Sequence, residues 1–277
     1  MGHVTEPAGW IARVPAGLLM TGGRAVALLM LATVLAAGPA VANDEPELPP
    51  AKVRFVEIGA ISGALLLPAR EPPIGLVMML PDGQDADLRS ATYVEQLLGG
   101  GIAVFAVFDV FQGEDDPTEV MPGAAALSAG ALSAEVGLQG IPVGALGFGT
   151  GARQALGLGE GVAARVLLYP GCDGSAEPDG TDPVLVLHGD GDASNSVEAC
   201  ADLAARLARG GRVVRRIGYA GAGYAWDYPS QRQAGRVMLP RPDGGGRVAA
   251  LPWPGLADLS ATHATGFFVT HFLRPAQ

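Results

Sequence analysis

The sequence predicts an α/β domain, a mostly parallel sheet with helices on both faces. Three observations carry that expectation. Short, continuously apolar runs such as Leu76–Leu80 and Ile102–Phe108 suit strands buried on both faces. From about residue 75 onward, such runs alternate with segments of helical periodicity. Glycine and proline, 41 and 22 of 277 residues, fall at the junctions between them.

Taken in order, Val53–Ile58 alternates like a half-buried strand, and Ser62–Leu67 reads as its antiparallel partner. Pro68–Pro73 is a loop. Leu76–Leu80 stops at Pro81-Asp82-Gly83. Leu88–Leu98 has helical spacing and ends at Gly99-Gly100-Gly101. After strand Ile102–Phe108 comes an acidic loop, Gly113–Pro122, then a helix over Ala124–Val136. Val143–Gly147 is a strand, with a helix over Ala152–Leu158 behind it. Arg165–Tyr169, Val184–His188 and Arg212–Tyr219 are the remaining strands, and Val197–Arg209 is an amphipathic helix. Gly235–Gly246 reads as a flexible loop, and Thr262–Leu273 as the closing helix.

The N-terminal end has a different character. Arg24 precedes an apolar run from Ala25 to Ala37, followed by Gly38-Pro39 and Ala40-Val41-Ala42. A basic flank, a short apolar run and a small-x-small site describe a secretory signal peptide over residues 1–42. Met20 is an alternative start to Met1. The run is shorter than the roughly 20 residues needed to span a bilayer, so no transmembrane anchor is expected after cleavage. Residues 43–52 are an acidic, proline-rich tether, and residues 53–277 form the α/β domain. The expected location is secreted or periplasmic.

Without residues 1–42 the chain carries 16 basic and 27 acidic residues, a net charge of −11. That balance argues against nucleic acid or an anionic membrane as partner. Cys172 and Cys200 are the only cysteines, and in an oxidising compartment they suit a disulfide; two buried thiols are the alternative. No metal spacing, Walker pattern or dinucleotide fingerprint occurs, so no metal or cofactor is expected.

The stretch Gly147-Phe148-Gly149-Thr150-Gly151 has the G-x-S-x-G frame of a nucleophile elbow, with glycine at its centre. His188-Gly189-Asp190-Gly191-Asp192 and Gly221-Ala222-Gly223-Tyr224-Ala225-Trp226-Asp227 follow two later strands. Elbow, acid and histidine segments in this order resemble the dienelactone hydrolase family of the α/β-hydrolase fold, over nearly all of residues 53–273. Pro81-Asp82-Gly83 with Arg89-Ser90 resembles a degenerate form of the family's first-loop motif. Carried over by position, the family's nucleophile falls on Gly149, its acid on Asp192 and its histidine on Tyr224. The resemblance therefore implies a degenerate member with no intact triad.

Gly149 has no side chain and can form no acyl-enzyme, though glycine suits the strained turn. The Thr150 N–H remains as an oxyanion donor, while its hydroxyl, one place past the apex, is expected to point elsewhere. Tyr224, a weak base, is expected to pack with Trp226 or to bond a ligand. Asp192 reads as a cap of the following helix, with Ser194 and Ser196 as competitors. Asp190 reads as a turn residue. His188, His263 and His271 read as structural or surface histidines.

A ligand cleft at the carboxyl ends of the strands is expected, lined by Asp82, Gly83, Gly149, Thr150, Asp192 and Tyr224. The functional expectation is a protein that has lost serine-type hydrolysis and binds a small molecule there. One alternative is an active ester or lactone hydrolase in which His188 or Asp82 activates water. A second is an interaction or structural module of the cell envelope.

Overall fold

The computed structural model describes residues 52–59, 61–83, 89–110, 128–174, 180–229 and 237–273. The signal-like stretch, the tether up to residue 51 and the acidic loop 113–122 lie outside the described residues.

The chain opens with an antiparallel hairpin, β1 (Lys52–Ile58) and β2 (Ile61–Leu67), paired from Lys52 against Leu67 to Ile58 against Ile61. β1 starts one residue before the expected point. β3 (Gly75–Leu80) leads to α1 (Ser90–Gly99) and β4 (Ile102–Val110). α2 (Ala129–Glu135), β5 (Val143–Phe148), α3 (Thr150–Gly157) and β6 (Val162–Leu168) follow. β7 (Val184–Gly189), α4 (Val197–Ala208) and β8 (Val214–Tyr219) complete the alternation.

The sheet order is β1-β2-β4-β3-β5-β6-β7-β8. β1–β2 and β2–β4 are antiparallel; every later pairing is parallel. All residues of β3, β5 and β7 are buried, which explains their unbroken apolar runs. Leu76, Met78 and Leu80 share one core with Leu132 of α2, Ala152 and Ala155 of α3, and Leu203 of α4.

Two expectations need correction. The last helix, α5, runs from Pro254 to Phe272 and begins eight residues earlier than Thr262. Pro254 stands in its first turn, where the missing N–H costs nothing and the fixed φ fits the helix. The expected loop over Gly235–Gly246 contains β9 (Met238–Pro240), paired antiparallel with β10 (Arg247–Ala249). Its turn closes through Arg241 N–H to Gly246 O (2.8 Å) and Gly245 N–H to Asp243 Oδ1 (2.9 Å). Gly244 and Gly246 take positive φ there, so the glycines build the turn rather than a slack loop. Gly235 itself lies outside the described residues.

Among the described residues, no helix is long and apolar enough to cross a membrane.

Candidate functional site

Register places the site. Leu80 pairs with Gly147, so the ends of β3 and β5 lie side by side and bring Asp82 beside the elbow. The elbow itself is present as backbone. Gly149 has φ +51 and ψ −115 and directly precedes α3. That is a conformation glycine adopts freely and side-chain residues adopt under strain. The flanking glycines serve close approach instead. A Cβ at Gly147 would lie 2.2 Å from Gly151 O, and one at Gly151 would lie 2.3 Å from Pro81 O.

The space above Gly149 is taken. A Cβ built there would lie 2.3 Å from the Tyr224 hydroxyl oxygen, 2.4 Å from Asp82 Cγ and 2.5 Å from Asp82 Oδ1. Asp82 is therefore the centre of the site. Its Oδ1 accepts from the Thr150 N–H and from the Thr150 hydroxyl, both at 2.9 Å. Its Oδ2 accepts from the Tyr224 hydroxyl at 2.6 Å and pairs with Arg89 Nη1 at 3.2 Å. A carboxylate offers about four lone-pair directions, and four donors meet them here. The Asp82 and Arg89 side chains are 0% and 2% exposed.

This corrects three expectations. The Thr150 N–H, expected as an oxyanion donor, is bonded to an internal carboxylate. The Thr150 hydroxyl points to Asp82, because that carboxylate stands within reach of the first turn of α3. Tyr224 is a donor to Asp82, and its ring meets Tyr169 edge-on at 4.9 Å; Trp226 instead packs against Tyr169 and Tyr219. Burial, and then the charge of Asp82, hold the Tyr224 pKa well above its ordinary value, so it remains a protonated donor.

Asp192 does not cap α4. Ser196 does, through Ala199 N–H to its Oγ (3.1 Å). Asp192 closes its own turn: Oδ1 accepts from the Ser194 N–H (2.9 Å) and hydroxyl (2.6 Å), and Oδ2 accepts from Asn195 Nδ2 (2.9 Å). Its charge still contributes to the raised pKa of Tyr224. Asp190 is a turn acceptor, from Gly221 N–H at 2.6 Å. Gly83 is exposed with φ +103.

Cys172 and Cys200 form a disulfide with Cα atoms 4.9 Å apart. Asn195 Oδ1 sits between the loops after β6 and β7 and accepts from Gly171 N–H at 2.8 Å. Bond and amide together tie down the segment carrying Asp192.

His188 is fully buried. Its Nε2 accepts from Arg216 Nη1 (2.7 Å), with Nδ1 3.4 Å from Gly189 O. His263 Nδ1 meets the Tyr219 hydroxyl at 2.8 Å, and His271 packs on Phe267. His188 and His263 thus engage side chains of β8, while the donors to Asp82 come from Thr150, Tyr224 and Arg89.

Sequence reasoning missed a second buried polar cluster. Asp227 accepts from the hydroxyls of Tyr169 (2.7 Å) and Tyr93 (2.9 Å), and Tyr93 also meets Ser260 Oγ (2.6 Å). Trp226 Nε1 donates to the same Ser260 (3.0 Å). The available signal was Asp227 within an aromatic segment, since buried phenols require polar partners. Elsewhere, a surface groove of about 320 Å³ lies between the end of β8 and the start of α5, with Tyr219, Trp253 and Leu259 among its walls. Among the described residues, no group of His, Cys, Asp and Glu could hold a metal.

No protein-family model matches the chain, and no curated protein matches it. Solved structures do. A dienelactone hydrolase from Anabaena variabilis is 19% identical, with a TM-score of 0.60 over 81% of this chain and 99% of that one. Esterase 2 from Thermogutta terrifontis, phosphoramylated by tabun, is 17% identical, with a TM-score of 0.56 over 84% of this chain and 100% of that one. A mutant of the esterase rPPE is 16% identical, with a TM-score of 0.60 over 91% of this chain and 90% of that one. The fold is that of the α/β-hydrolases. Identities this low carry the architecture and not the reaction.

Proposed function

We propose that this α/β-hydrolase-fold protein is a non-hydrolytic member that acts by binding and functions outside the cytoplasm. One observation carries the non-hydrolytic part of this reading. The place where a nucleophile's Cβ would stand, above Gly149, is occupied by the Asp82 carboxylate and the Tyr224 hydroxyl. Loss of the nucleophile is thus accompanied by filling of its space. Water activation by Asp82 is disfavoured because donors already meet its lone pairs. His188 is disfavoured because it is fully buried and its Nε2 accepts from Arg216. The disulfide supports an oxidising compartment, where such bonds persist.

The test is a fluorophosphonate label and a panel of short esters and lactones, applied to purified mature protein. The expected result is no labelling and no turnover above buffer. Specific turnover that survives further purification and is lost with heat denaturation overturns the reading.

A further inference from the structure

We propose that the groove between the end of β8 and the start of α5 is a docking site for the acidic, proline-rich segment 45–51 of a second copy of this chain. The residues of the groove are not those around Gly149, so the proposal does not depend on loss of hydrolysis.

The groove holds about 320 Å³ and is walled by Tyr219, Trp253, Leu256 and Leu259. Trp253 and Leu259 are 48% and 46% exposed, and large apolar side chains gathered at one groove mark a contact surface. The Trp253 indole N–H makes no hydrogen bond among the described residues, which leaves it to an incoming carbonyl. An aromatic wall of this kind takes a polyproline II segment.

Charge selects the occupant. Five arginines and no acidic residue fall within Arg206–Arg216, in a chain whose formal net charge is −10. Arg215 and Arg216 are exposed on β8, and Arg216 is engaged with His188. Arg215 shares a strand face with Tyr219, and its charge is felt at Tyr219 and at the His263 ring stacked on it. Asp258 of α5 is set against these cations. An acidic segment suits this edge.

The chain carries a matching one. Glu45-Pro46-Glu47-Leu48-Pro49-Pro50-Ala51 reads P-x-x-P from Pro46 to Pro49 and holds two glutamates. Sequences of this kind favour polyproline II and lose little entropy on docking. A copy cannot fill its own groove. β1 and β8 are opposite edges of the sheet, about 33 Å apart at ~4.8 Å per strand. Two successive antiparallel pairings make β1 run in the direction of β8, so Lys52 stands at the amino edge and the groove at the carboxyl edge. Seven extended residues span at most about 25 Å. The segment of one copy therefore serves the groove of another, a head-to-tail contact that can extend beyond a dimer.

The first test titrates an end-capped synthetic peptide of residues 45–51 into purified mature protein and records tryptophan emission. Trp253 is the exposed tryptophan and Trp226 is fully buried, so docking is expected to shift emission to the blue, saturably, with a Kd on the order of 0.1 mM. A peptide with Pro46→Ala and Pro49→Ala should bind ~10-fold more weakly. Arg215→Glu in the protein should weaken the native peptide by about 5-fold. No saturable shift, or equal binding of the proline-free peptide, overturns the proposal.

Sedimentation equilibrium then separates the two halves of the contact. Trp253→Ala damages the groove and keeps the segment. Glu45→Lys with Glu47→Lys damages the segment and keeps the groove. Each variant alone is expected to stay monomeric where the native protein associates, and their equimolar mixture to form a heterodimer and nothing larger. A native protein that stays monomeric above the Kd of the peptide, or association undiminished in the segment variant, overturns the second copy as occupant. The peptide titration uses the unaltered protein, so it decides the matter even if a variant fails to fold.

Discussion

The Tyr224 hydroxyl donates to Asp82 Oδ2 across 2.6 Å, joining residues 142 apart in sequence. One partner stands at the end of β3 and the other follows β8, so the bond ties a central strand of the sheet to the segment beyond its edge. A hydrogen bond to a charged, buried acceptor contributes about 1.5–3 kcal/mol. Tyr224→Phe should lower the urea midpoint by that much stability without changing the slope of the transition. An unchanged midpoint would show that the bond contributes nothing.

Gly149→Ser completes the letters of the elbow motif, and reactivity is not expected to follow. The new side chain meets Asp82 and Tyr224 well inside van der Waals distance, at a positive φ. The expected cost is on the order of 3 kcal/mol from strain and overpacking. In the Asp82→Gly background the cost should shrink, giving a coupling of about 1 kcal/mol or more in a double-mutant cycle. Equal costs in both backgrounds would mean that Asp82 is not the obstacle. Fluorophosphonate labelling of the single Gly149→Ser variant is expected to be absent.

The Cys172–Cys200 bond closes a loop of 28 residues. The chain-entropy estimate gives about 3–4 kcal/mol for a loop of that size. Reduction with dithiothreitol under mild denaturation, or Cys172→Ala with Cys200→Ala, should lower unfolding free energy by that amount. Proteolysis should then cut first near Asp192, whose segment the bond restrains. A reduced protein as stable as the oxidised one would contradict this.

Two histidines, His188 buried and His263 half-buried, predict a pH dependence of definite sign. Burial, and then the charge of Arg216, lower the pKa of His188; burial and Arg215 lower that of His263. In the unfolded chain each protonates near the ordinary value of 6.5. Between that value and the lower folded one, the unfolded state binds more protons, so stability rises with pH. The contribution is complete above about pH 6.5, declines as pH falls, and is gone below the folded pKa values. Urea midpoints between pH 7 and pH 5 should fall, and His188→Gln should flatten that slope. An identical slope in the variant would remove His188 from the account.

Most strands were legible in the sequence because β3, β5 and β7 are buried on both faces and must be apolar throughout. The elbow was legible because its turn demands glycine spacing on either side. The start of α5 was not, since Pro254 has the same letter as a breaker and as a first-turn residue. The role of Asp82 was legible only in part. Its loop position marks it as a pocket residue, but its four donors come from Thr150, Tyr224 and Arg89. No local pattern encodes that meeting; it depends on strand order. Asp192 shows the same limit at short range, because an acidic residue before a helix can cap it or close the preceding turn. Ser196 stands closer to α4 and takes the cap.

The crowding above Gly149 also gives sequence drift a direction. A serine introduced there meets Asp82 and Tyr224 while they remain, so that single substitution is expected to lower stability without bringing reactivity. Asp82 must retreat before the nucleophile is tolerated, and Tyr224 must give way before a base can stand beside it. The order of substitutions then matters more than their number. The saturated carboxylate acts as a ratchet, and a crowded elbow of this kind is easier to keep than to open.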